Sequence, residues 1–273
     1  MGKYMDRRKF VSLAGLATGV MSLQGCNVDQ TLAPTNTDAP RRRARMTVGT
    51  QRAPTNDAML MYFRRHGVEH ICGYPNEDGW TGTRLRQLRE QCESHGIGLD
   101  MVQFPFMSSS HVDRSERKAI MLGQEPNRQE EIDQACEIIR QCAAAGIPAI
   151  KYNLSLLGVL RTSPTPGRGG TSYSTWRLKD ADPNIRTRAG QISSEEIWEH
   201  ITHFLEHVVP VAEEFKVRLA CHPHDPGVPP EGFHGIARVL GTVEGLKRFV
   251  EIEESSHHGL NLCLGTTAEM LQN

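Results

Sequence analysis

The apolar run Leu219-Ala220-Cys221 gives way at once to His222-Pro223-His224-Asp225-Pro226, which places two imidazoles and a carboxyl in a turn stiffened by two prolines. An imidazole in such a place can ligate a first-row divalent metal when its other ring nitrogen is held by a second group, and a thiolate is a suitable companion donor. Cys263, in Leu262-Cys263-Leu264-Gly265, could supply that thiolate. Taken singly, His222 reads as a hydrogen-bonded structural histidine and Cys263 as a buried thiol. Together, at the ends of neighbouring strands, they favour a metal site. Lys151 and Asn153 alternate on another strand-like run, which makes one of its faces polar.

Something must bring these distant segments together. Short β-rich runs at 46–50, 68–74, 98–105, 149–154, 217–225 and 260–265 alternate with helical patterns at 56–66, 82–95, 128–145, 194–215 and 243–254. Asn56 and Ser194 are expected as helix caps, and Gly67, Gly96 and Gly146 follow helix ends. Strict alternation predicts an α/β fold with a parallel sheet, either open and doubly wound or closed as a (β/α)8 TIM barrel. The polar strand positions favour the barrel, because an open sheet covered on both faces wants continuous Val and Ile. Six strand–helix units of the eight are visible, with the last helix under way at Asn273, so the sequence reads as lacking two units. The stretch 155–193, rich in Pro, Gly, Ser and Thr and containing Gly167-Arg168-Gly169-Gly170, is expected to be a mobile lid over the mouth.

Composition narrows the function classes. The 273 residues carry 31 Lys and Arg against 32 Asp and Glu, so no surplus of positive charge exists to neutralise nucleic-acid phosphates. Neither GxGxxG after the first strand nor GxxxxGK[ST] occurs. Seven cysteines without paired CxxC spacing suit neither a disulfide scaffold nor a zinc knuckle. His200, His203 and His207 share one face of a helix that lies outside a barrel, and Cys136 and Cys142 read as core. Residues 1–26, with Arg7-Arg8 ahead of an apolar stretch, read as a twin-arginine signal, and 27–45 as a flexible linker before a domain over 46–273. Leu23-Gln24-Gly25-Cys26 is similar to a lipobox, which would anchor the exported protein to a membrane through lipidated Cys26; otherwise it is periplasmic.

The segments 147–154, Arg161-Thr162, 221–226 and 259–265, in that order, resemble the mannonate dehydratase family, a branch of the xylose-isomerase-like TIM barrels. The resemblance implies a hydro-lyase that converts D-mannonate into 2-keto-3-deoxy-D-gluconate during glucuronate and other hexuronate breakdown. It implies Mn²⁺ or Fe²⁺ bound by His222 and Cys263, with further ligands beyond Asn273. Tyr152, Asn153 and Arg161 would bind the sugar acid, Arg161 through its carboxylate, and Asp225 or His224 would protonate the leaving hydroxyl. Two departures from the family pattern stand out: His224 replaces the first of two acids, and Val159-Leu160 replaces an Asp-Trp pair. A sugar isomerase or epimerase of the same barrel type, or an exported non-catalytic binding protein, are the other readings, and the oligomeric state stays open.

The Arg pair makes the localisation testable. Changing both Arg7 and Arg8 to Lys should leave precursor in the cytoplasm. Normal export of that double variant, followed by cell fractionation, would contradict a twin-arginine signal.

Overall fold

The computed structural model describes residues 46–271, apart from 77 and 229–230. The expected signal at 1–26, the linker at 27–45 and the Cys26 anchor lie outside the described residues. Six strands, β1 (Gly49–Thr50), β2 (His70–Gly73), β3 (Gly98–Gln103), β4 (Ala149–Tyr152), β7 (Arg218–Cys221) and β8 (His258–Leu260), form one parallel sheet in chain order. Between β4 and β7 the chain makes an antiparallel hairpin, β5 (Thr162–Pro166) with β6 (Ser172–Thr175). A doubly wound sheet reverses its strand order at a switch point, whereas this one never does. Right-handed crossovers in one unbroken order place the helices on one face, as in the wall of a (β/α)8 barrel.

The helices are α1 (Asp57–Arg65), α2 (Gly82–Ser94), α3 (Ala119–Leu122), α4 (Asn127–Ala145), α5 (Ser194–Phe215), α6 (Val243–Glu251) and α7 (Leu264–Met270). The longest, α5, shows why they form. Ser193 and Glu196 make a reciprocal capping box, one residue earlier than the expected cap at Ser194. Ile197, Ile201, Phe204, Leu205, Val208 and Ala212 recur at helical spacing and are buried. No described helix is long and apolar enough to cross a membrane. Asn56 caps α1 as expected, and Gly146 ends α4 with φ 73°, a conformation in which a Cβ is strained.

Three sequence expectations change. The run at 260–265 is not one strand: β8 ends at Leu260 and α7 begins at Leu264, so Cys263 caps a helix instead of lying in a ladder. The stretch 155–193 is a hydrogen-bonded hairpin with a pinned tail, since Arg188 donates to the carbonyls of Val112 and Ser115 at 2.8 and 2.7 Å. Tyr152 is also misassigned as a substrate ligand. Strand alternation turns its ring towards the helices, where it is fully buried against Phe104 and Phe204 at centroid distances of 6.1 and 5.7 Å.

Among the described residues the Tyr152 hydroxyl finds no hydrogen-bond partner in that apolar layer. Burying an unpaired hydroxyl is unfavourable, so Tyr152→Phe should raise unfolding stability by about 1 kcal/mol in urea titrations. Tyr152→Ala should lower it by about 3–5 kcal/mol through the cavity it leaves. A loss of stability in Tyr152→Phe would show that the hydroxyl has a partner.

Candidate active site

The site lies where β4 and β7 end. Their ladder pairs Tyr152 with Cys221, and His222 N–H continues it by donating to the Tyr152 carbonyl at 2.9 Å. Asn153 N–H leaves the sheet to donate to the Met107 carbonyl at 2.8 Å, which ties this end of β4 to the loop after β3. A cavity of about 160 Å³ opens there, lined among others by Gln51, Lys151, Asn153, His222, His224 and Asp225. Lys151 and Asn153 reach it because they occupy the strand face opposite Ile150 and Tyr152. Asn261 N–H donates to the Cys221 carbonyl at 2.8 Å and brings the 261–263 segment beside β7.

His222 is held in one tautomer. Its Nδ1 lies 2.7 Å from the Pro223 carbonyl, which can only accept, so Nδ1 carries the proton and Nε2 keeps a free lone pair. That is the state in which imidazole ligates a metal, with the backbone carbonyl as its outer partner. Cys263 does not line the cavity, but its thiol acts on the Lys151 charge and accepts from Thr266 Oγ1 at 3.2 Å. By donor type an imidazole nitrogen and a thiolate suit a divalent first-row ion, although Cys263 stands outside the lining that contains His222. Among the described residues no group of three or more His, Cys, Asp or Glu side chains is arranged to hold a metal.

His224 cannot serve as the expected general acid. It is buried, and its Nε2 donates to the Leu154 carbonyl at 2.7 Å. Burial and then the nearby Arg238 guanidinium push its pKa down to about 3, so the ring is neutral and holds its one proton in a structural bond. Arg238 is itself buried, 3.3 Å from the Pro226 carbonyl, and burial draws its pKa down to about 10. Asp225 is partly open at the mouth, with Arg161 3.9 Å away.

Arg161 stands beside Asp225 at the mouth, outside the cavity lining. It does not line the cavity: Nε donates to Ser174 Oγ at 2.7 Å and NH1 to the Leu160 carbonyl at 2.7 Å, which fastens the hairpin to its own base. The residues that sequence reasoning passed over are Gln51, Ser109 and Ser155 in the lining, and Lys151, whose polar strand position was seen but given no task. The alternation of Lys151 with Asn153 was the available signal. No pattern marked Gln51, which lies 100 positions away and is joined to Lys151 only by the parallel sheet. A larger groove of about 510 Å³ lies on the outer helices, with Arg248 stacked 4.2 Å from the Trp198 ring centroid and His203 beside it. It is remote from the strand ends where the polar groups converge.

The buried His224 ring makes stability pH-dependent. The unfolded imidazole binds its proton near 6.5 and the folded one only near 3, so its contribution is complete above 6.5 and is lost as the pH falls through that window. In acid unfolding curves, His224→Gln should show a shallower loss across the same window. An unchanged slope would mean that His224 is not the buried neutral group described.

The D-mannonate dehydratase (UxuA) family model matches residues 177–273. A mannonate dehydratase of Streptococcus agalactiae is 28% identical over 231 residues, covering 76% of this chain and 63% of its own. One of Streptococcus pneumoniae is 27% identical over 235 residues, covering 76% of this chain and 60% of its own. The chain thus spans somewhat under two thirds of the length of these relatives. The crystal structure of mannonate dehydratase from Streptococcus suis superposes with a TM-score of 0.70 at 24% identity, over 84% of this chain and 66% of that one, and shows the barrel fold. Fold, motif order and sequence agree that this chain, an α/β barrel wall, is similar to the mannonate dehydratases.

Proposed function

We propose that the protein is a hydro-lyase that removes water from D-mannonate to give 2-keto-3-deoxy-D-gluconate, a step of hexuronate breakdown, with Mn²⁺ or Fe²⁺ held through His222 and Cys263. The observation that carries this reading is the meeting of a tautomer-fixed His222, Asn153 and Asp225 in one cavity at the strand ends, in a chain similar to enzymes named for that reaction.

The chemical difficulty is the proton on C2, which is weakly acidic because the adjoining carboxylate is already negative. A bound divalent ion supplies Lewis-acid stabilisation of the charge that develops as that proton leaves. The chain's own groups do the rest. Asn153 offers both a donor and acceptors to sugar hydroxyls at the cavity wall. Asp225 is the carboxyl that reaches both cavity and solvent, so it is the group to take up a proton and return one to the departing C3 oxygen. His224, with its proton committed to the Leu154 carbonyl, shapes the wall behind it. Thr266 orients the Cys263 sulfur, and Pro223 orients the His222 ring.

The test combines turnover with direct metal binding. D-mannonate should be converted to the keto-deoxy acid in a Mn²⁺- or Fe²⁺-dependent way, and Mn²⁺ should bind as read by its electron paramagnetic resonance signal. His222→Ala and Cys263→Ala should each weaken Mn²⁺ binding by more than the roughly 10–100-fold that loss of an outer-shell partner costs. Unchanged Mn²⁺ binding in Cys263→Ala would remove the ligand assignment. Failure of D-mannonate to react under any divalent metal would overturn the reaction.

A further inference from the structure

We infer that Lys151 is the residue that receives the carboxylate of the substrate, so that the cavity floor is an anion subsite for a small hydroxy acid. The identity of the acid rests on the function proposed above; the anion subsite does not.

Lys151 is only 7% exposed, and its side chain projects from the barrel-facing side of β4 into the cavity. An ammonium group carries three donors, and the described residues satisfy one, through Gln51 Oε1 at 2.7 Å. Among the described residues no carboxylate pairs with it. Burial draws the Lys151 pKa down, and of the two thiols that favour its charge, those of Cys72 and Cys263, the Cys72 thiol is itself pushed up to about 11 by burial and is neutral. A buried cation with neither a carboxylate partner nor a full set of acceptors is costly to maintain. An anionic ligand would remove that cost, and the ammonium suits it as a compact point charge.

The surroundings fit the rest of a polyhydroxy acid. Asn153, Ser109 and Ser155 line the same cavity and can bond hydroxyls, and the free Nε2 of His222 marks the side on which a metal would sit. Arg161, the expected carboxylate anchor, is half-exposed, lies outside this lining, and has its guanidinium engaged by Ser174 and Leu160. Lys151 is therefore the cation positioned for the ligand's acid group.

Calorimetric titration of the full chain with D-mannonate, D-mannitol and glycolate tests this. D-mannitol is a hydroxylated six-carbon chain without the carboxylate, and glycolate is a hydroxy acid without the sugar chain. The wild-type protein should bind D-mannonate at least about tenfold more tightly than D-mannitol. Lys151→Met should lose that preference while leaving the weak binding of D-mannitol unchanged, and Lys151→Arg should recover part of it. Binding of glycolate that depends on Lys151, without preference for D-mannonate, would support the anion subsite while sinking the mannonate reading. Equal wild-type binding of D-mannonate and D-mannitol would overturn the inference without reference to any variant, and so would D-mannonate binding unaffected in a folded Lys151→Met protein.

Discussion

Four parallel pairs join β4 to β7, from Ala149 opposite Arg218 to Tyr152 opposite Cys221, and the ladder gains one more bond where His222 N–H meets the Tyr152 carbonyl. Because side chains alternate across a strand, this register decides which residues meet at the mouth. It turns Tyr152 into the helix layer and Lys151 and Asn153 into the cavity. It also carries His222 past the end of the sheet, where the Pro223 carbonyl fixes its ring. A slip of one residue would send Lys151 into the apolar layer beside Phe204 and Tyr152's ring into the mouth.

Around that ladder, several charged or titratable groups are buried and hydrogen-bonded to backbone carbonyls, with Glu131 acting on Lys118 and Asp225 on Arg238. Lys118 donates to the carbonyls of Ser108 and Ser155, and Arg238 lies against that of Pro226, each with its pKa drawn down by burial. Their common effect is to pin the loops after β3, β4 and β7 to one another. His224 does the same while neutral, through the Leu154 carbonyl. Rigid loops hold the Asn153, His222 and Asp225 side chains in a fixed relation, which a small polar ligand needs if it is to bind without first ordering its site. Among the described residues Lys151 differs from Lys118 in having two donors left over.

Much of this was legible in the sequence, for physical reasons. The strand and helix order followed from periodicity, and the abrupt change at 221–226 marked the end of a barrel strand. What stayed hidden depended on tertiary context. Leu262-Cys263-Leu264 is apolar enough to read as strand, yet the chain turns into α7 there and Thr266 engages the Cys263 sulfur. The hairpin at 162–175 looked like a loose lid because Pro, Gly, Ser and Thr dominate it; its order comes from cross-strand bonds such as that between Thr165 and Thr175. Tyr152 was credited with substrate binding through a motif, whereas the parity of its strand position already opposed it to Asn153. His224 stood in an active-site motif, and only its enclosure beside Arg238 shows that its proton is not available.

We propose that the ends of β4 and β7 build a sugar-acid site. A crystal structure of the protein grown with D-mannonate tests it most directly. The account predicts the ligand in the cavity between Lys151, Asn153 and His222, with its carboxylate within hydrogen-bond distance of Lys151 Nζ and its hydroxyls towards Asn153 and Ser109. A ligand seated instead in the outer groove by Trp198 and Arg248, with the strand-end cavity filled by water alone, would contradict it.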